Sequence, residues 1–91
     1  MVLDTHEFLV RAQLDSETLE IWIAEGWLIP AGATSDQAFH DADLARAQLI
    51  QDLMNDLGVN AEGVGVILNL VDQVHGLRNA LGEVIKAGRA G

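Results

Sequence analysis

Apolar residues follow two rhythms along this chain. Up to about residue 57 they come in short clusters of helical spacing, each opened by a capping residue and closed by glycine or proline. Asp4 and Glu7 have capping-box spacing, so a first helix is predicted from Asp4 or Thr5, with Phe8, Leu9 and Ala12 on its apolar face. Asp15 is a good N-cap for a second helix that turns Leu19 and Ile23 inward, leaves the direction of Trp22 open, and stops at Gly26. Pro30 forbids further helix. Residues Ala31 to Ser35 are small and polar and read as a loop, with Ile29 and Phe39 as the arms of a short hairpin. Asp41 or Asp43 opens a third helix, whose periodic positions are Leu44, Ala47, Leu49, Ile50, Leu53, Met54 and Leu57, and Gly58 closes it.

The second rhythm is longer. Asn60 is a preferred N-cap, and Val59 and Val64 occupy the positions of a hydrophobic staple. A last helix is therefore predicted from Ala61 to about Ala87. Ile67, Leu70, Val74, Leu77, Leu81 and Val84 alternate in spacings of three and four, the pattern of a coiled-coil seam. Gly63, Gly65, Gly76 and Gly82 each weaken such a helix by up to ~1 kcal/mol relative to alanine, so it needs packing to persist. Val64, Ile67, Leu68 and Val71 are expected to pack on the rest of the domain. A helix of ~40 Å outruns so small a body, and the part beyond His75 is expected to meet a second copy through Val74, Leu77, Leu81 and Val84. The fold class is thus all-α with a possible short β-hairpin. One compact domain is expected, with residues 1–58 holding the first three helices and 59–91 the long last one.

Composition narrows the function. The 91 residues have room for a helical core but not for a deep cleft between domains. There is no cysteine, which removes disulfides and thiolate chemistry. No basic-then-apolar leader and no long apolar run is visible, so no membrane is expected, and a soluble cytoplasmic protein is. The net charge is -9 and is unevenly spread. From Met1 to Ala45 Arg11 is the only basic residue, against Asp4, Glu7, Asp15, Glu17, Glu20, Glu25, Asp36, Asp41 and Asp43. Nucleic-acid affinity comes largely from neutralised phosphates, so this half should repel them and suit a basic surface instead.

Candidate chemistry is thin. His40, Asp41 and Asp43 can be drawn as a metal triad, but an acidic helix start explains them as well. Asp72 and His75 would share a helix face, yet two ligands make no site. The Gly-Val-Gly of residues 63–65 lies within a helix, not after a strand. Neither Ser16 nor Ser35 has a histidine in triad-like context. No catalytic residue, cofactor or metal is expected.

The order of Asp15-Ser-Glu-Thr-Leu, Glu25-Gly-Trp-Leu-Ile-Pro and Phe39-His-Asp-Ala-Asp-Leu-Ala-Arg-Ala resembles the winged helix-turn-helix domain of the MerR family. Thr18-Leu19, Gly26, Leu28, Pro30, Phe39 and Asp43-Leu44 carry the likeness. Where that family has an arginine for the phosphate backbone this chain has Glu20, its aromatic pair becomes Ile21-Trp22, and the wing from Ala31 to Ala38 has no basic residue. A narrower likeness spans nearly the whole chain. Trp27-Leu-Ile-Pro30, Phe39-His-Asp41 and the run DLGVNAEGVGVILNLVDQVHGL at 56–77 look like the chaperone-modulator family CbpM. That resemblance implies binding to the J domain of a CbpA/DnaJ-like co-chaperone, inhibiting its action with DnaK and its binding to DNA.

Two functions from different classes therefore stand: a J-domain-binding inhibitor, expected to form a homodimer through the seam, and a MerR-type DNA-binding transcriptional regulator. The second lacks the basic wing or recognition helix it would need, so DNA binding is not expected. Glu20, Trp22, Glu25, Asp41 and Asp43 are expected to form the partner surface, with Trp27 and Phe39 structural. Trp22 and Trp27, five residues apart, should point to different sides, with one in the core. A contact through the third and fourth helices is the competing placement.

Overall fold

The computed structural model describes residues 2–32 and 37–90. Its elements are β1 (Val2–Leu3), α1 (Thr5–Ala12), α2 (Ser16–Ala24), β2 (Phe39–His40), α3 (Asp41–Gln51), a π-helical turn (Asp52–Asp56) and α4 (Ala61–Ala90). The chain divides into two compact units, Met1–Val59 and Asn60–Gly91.

In the first unit the helix starts form as their caps dictate. The Asp4 carboxylate accepts the Glu7 N–H at 2.8 Å and the Asp15 carboxylate accepts the Thr18 N–H at 2.7 Å. α1 ends on Gln13, a non-glycine residue in the left-handed region at φ 58°. Gln51 of α3 donates its side-chain amide to the Ala12 carbonyl at 2.7 Å and so satisfies a backbone acceptor at that helix end. α2 ends as predicted at Gly26, whose φ of 78° disfavours any side chain. The turn sends the Trp27 N–H back to the Trp22 carbonyl at 2.9 Å.

β1 and β2 pair antiparallel, with Leu3 opposite Phe39 and Val2 opposite His40. Alternation along each strand turns Leu3 and Phe39 into the core and leaves Val2 and His40 exposed. Phe8, one turn into α1, stacks on Phe39 with ring centroids 4.2 Å apart. Leu19, Leu28, Ala47, Ile50 and Leu53 complete the buried interior of this unit together with both tryptophans. Arg46 of α3 donates its Nε–H to the Trp27 carbonyl, tying the segment after α2 to α3.

Two expectations need correction. The hairpin arms are not Ile29 and Phe39: Ile29 is exposed, and the antiparallel bridge joins Ala31 and Ala38. Pro30 has no N–H to give a ladder, so pairing begins one residue later, while Phe39 pairs with the chain's first strand. The tip expected for this loop, residues 33–36, lies outside the described residues. The third helix opens at Asp41, one of its two predicted starts, and Asp43 reaches back to accept the His40 N–H at 2.8 Å. Finally, α3 does not continue as α-helix to Leu57. In the π-helical turn the Leu57 N–H reaches the Asp52 carbonyl, five residues back. More residues fit into each such turn, so Leu57 drops behind the α-helical register and stands exposed while Leu53 stays buried. Gly58, at φ 67°, closes this segment as predicted.

The second unit is the single helix α4. Asn60 caps it, its side-chain oxygen accepting the Gly63 N–H at 2.8 Å. The helix runs to Ala90, three residues past the predicted end. Val64 and Leu68 are its buried positions. Among the described residues no helix is long and apolar enough to cross a membrane.

Candidate partner-binding surface

α2 has two faces. Leu19, Trp22 and Ile23 lie on the inward one, and Glu17, Glu20, Ile21 and Ala24 recur at spacings of three and four on the exposed one. Glu25 follows at the helix end and is exposed as well. Ile21, with 53% of its surface open to solvent, is an apolar centre in this acidic stripe. Sequence reasoning passed over it, although its spacing from Glu17 was the available signal.

The stripe runs against local stability rules. Glu17 and Glu20 are like charges one turn apart, which weakens a helix by a few tenths of a kcal/mol. Glu25 sits at the C-terminal end, where the helix dipole favours a cation, and no basic residue occupies the last turn. At the other end Asp15 agrees with the dipole. Hydrogen bonds from the Thr18 hydroxyl and then from its backbone N–H hold the Asp15 carboxyl below the usual carboxylate range. Where a sequence departs from local preference without a structural return, function is the reason to look for.

Of the residues assigned to the partner surface, Glu20 is exposed on α2 and Glu25 is exposed just past its end. Trp22 does not present the exposed indole expected of it. Only 5% of its surface is accessible, and its ring lies 6.3 Å from that of Trp27, itself 6% exposed. The Gly26 turn folds Trp27 back towards Trp22, so the different directions that the five-residue spacing implied do not arise. Trp22 shows an edge to a hollow of about 400 Å³ bordered by Gln13, Thr18, Gln51, Met54 and Asn55. Asp41 and Asp43 lie on another element, the first turn of α3. Asp43 is engaged there in capping, with its carboxylate also 3.9 Å from His40 Nδ1. Among the described residues no group of three or more potential ligands could hold a metal ion.

A second hollow, of about 450 Å³, opens beside the acidic stripe. Leu19, Ile23 and Ala24 give it apolar walls. Thr5, Ser16, Glu20 and Gln37 supply its polar groups.

On α4 the seam residues are open to solvent: Val74 at 46%, Leu77 at 70%, Leu81 at 60% and Val84 at 67%. Ile67, Leu70, Val71 and Val74 line a shallow apolar groove along that helix, edged by His75 and Arg78.

A capped two-helix motif followed by a small hairpin, a third helix and a long fourth one defines a helix-turn-helix protein. The chain belongs to the MerR HTH family of regulatory proteins, whose family model matches residues 3–85. Among solved structures it is similar to HiNmlR, a MerR family regulator lacking the sensor domain, in a crystal structure bound to promoter DNA. The two agree with a TM-score of 0.70 at 19% identity, over 99% of this chain and 74% of that one, which is a likeness of fold. No curated protein matches the chain.

Proposed function

We propose that this MerR-family chain is a protein-binding modulator whose helix-turn-helix has exchanged phosphate for a basic protein surface. The partner is the J domain of a CbpA/DnaJ-like co-chaperone. Covering the basic helix that a J domain offers to DnaK would block their joint action. One observation carries the reading: α2 and the residue that ends it expose Glu17, Glu20 and Glu25 and hold no lysine or arginine. Each phosphate contact of a DNA-binding protein needs a cation or a neutral donor, and carboxylates on the same face would repel the duplex. The likeness of residues 27–30, 39–41 and 56–77 to the CbpM family supplies the partner's identity. The exposed seam of α4 supports pairing of two copies, since an apolar stripe at spacings of three and four complements itself.

A MerR-type DNA-binding regulator is the second reading. It is favoured by the family and by the promoter-bound state of the structural neighbour. Binding assays at physiological ionic strength separate the two. The purified chain is titrated against the J domain of a CbpA-type co-chaperone and against a selected pool of promoter duplexes. Salt-sensitive J-domain binding that suppresses J-stimulated ATP hydrolysis by DnaK is expected. Tight retention of a defined duplex, with no J-domain binding, would replace the first reading by the second.

A further inference from the structure

The hollow beside the acidic stripe has a composition that selects its occupant. Its apolar walls, Leu19, Ile23 and Ala24, suit a hydrocarbon segment, but the Glu20 side chain also borders it. Among the described residues Glu20 has no ion pair or hydrogen-bonding side chain of its own. A purely apolar group entering the hollow would strip water from that carboxylate without replacing its hydrogen bonds. An anion would be repelled by it, and again by Glu17 one turn away. A long side chain with an apolar stem and a cationic end meets both requirements, because the stem covers the walls and the charge reaches the rim.

Between the two such side chains, the acceptors favour arginine. A guanidinium has five N–H donors in a planar fork, two of which match a carboxylate side by side. Ser16 and Gln37, whose side chains can also accept hydrogen bonds, border the same space. A lysine ammonium would meet Glu20 as a point charge and use fewer of them. We infer that this hollow seats a single arginine side chain carried on a basic helix of a protein partner. The inference rests on the protein-binding reading above and names its anchor: one arginine in the hollow, flanked by Ile21 as an apolar contact and by Glu17 and Glu25 as steering charges.

The test uses the full chain with labelled isoleucine and alanine methyl groups, followed by NMR. Three helical peptides are titrated, identical except for one central arginine, lysine or citrulline. The arginine peptide is expected to shift the Ile23 and Ala24 methyl signals and to bind about tenfold more tightly than the uncharged citrulline peptide, as loss of one charged partner implies. Glu20→Gln should erase that preference, and so should Ala24→Leu, which fills the mouth from an exposed helical position. Equal binding of the arginine and citrulline peptides, or shifts that avoid these methyls, overturns the inference. The same variants are then offered the J domain of a CbpA-type co-chaperone. If the J domain binds wild type and Ala24→Leu alike, the arginine seat fails while the proposed function stands. If the arginine peptide seats but no J domain binds, the seat stands and the partner assignment fails.

Discussion

Phe8, Leu28, Phe39 and Ile50 of the first unit are sealed from solvent, with exposures of 0, 1, 0 and 0%, whereas Leu77, Leu81 and Val84 of α4 stand at 70, 60 and 67%. Both regions invest in apolar side chains at regular spacing. In the first, β1, β2, α1 and α3 pack on one another, and α2 adds Leu19 and Trp22 to the buried interior. The latter half of α4 has the spacing of a packed helix without the packing. The first region is thus a finished core, and the second carries an apolar surface whose spacing anticipates another one. The acidic face of α2 is a third case, polar and exposed but arranged against its own helix's preferences.

Substitutions sharpen that contrast, beginning with the largest effect. Phe39→Ala removes a fully buried ring stacked on Phe8 and should destabilise the first unit by about 3–5 kcal/mol, read by urea unfolding through tryptophan emission. A cost near zero would mean that this core does not hold the unit. Leu77→Asp combined with Leu81→Asp should weaken self-association by at least about thirtyfold (about 2 kcal/mol) in sedimentation analysis. Tryptophan emission should stay unchanged, since Trp22 and Trp27 are both in the first unit. Unaltered self-association, or a monomeric wild type, would remove the seam from that role.

Reversal of the α2 stripe by Glu20→Lys with Glu25→Lys should weaken J-domain binding by about tenfold while leaving the fold intact. A cation at position 25 complements the helix dipole, so the folded state should gain slightly in stability, and lost binding would not reflect unfolding. Retained affinity would take both residues out of the interface. The smallest effect concerns Asp15. Its carboxyl titrates below its ordinary value in the folded chain, so the stabilisation it gives is present above the unfolded-state value and is lost as pH falls through the lowered folded one. The stability gap between wild type and Asp15→Ala should therefore be widest near neutrality and close in acid. A gap independent of pH would show that charge plays no part in the cap.

The fold was legible where one residue type answers one local need. Asp4, Asp15 and Asn60 cap their helices, and Gly26 and Gly58 take the positive φ that ends a helix. Pairings across the sequence were not legible. A two-residue strand has no periodicity, so the match of Val2–Leu3 with Phe39–His40 left no trace in the pattern. The π-helical turn was equally hidden, because Leu57 fits the α-helical stripe that the widened turn then breaks. For the candidate surface, exposure of Glu20 and Glu25 followed from helix phase. Burial of Trp22 did not, because it depends on how Gly26 folds Trp27 back over it. The hollow draws on Thr5, α2 and Gln37, a combination that only the folded chain assembles.

The central claim is that the outward face of α2 docks on a basic protein helix. It is tested most directly by titrating the amide-labelled chain with the J domain of a CbpA-type co-chaperone and following each backbone signal. The account predicts shifts and broadening concentrated on residues 16–25, fading as salt is raised. Perturbation confined to α3 and α4, or α2 signals that respond to a promoter duplex and not to the J domain, would contradict it.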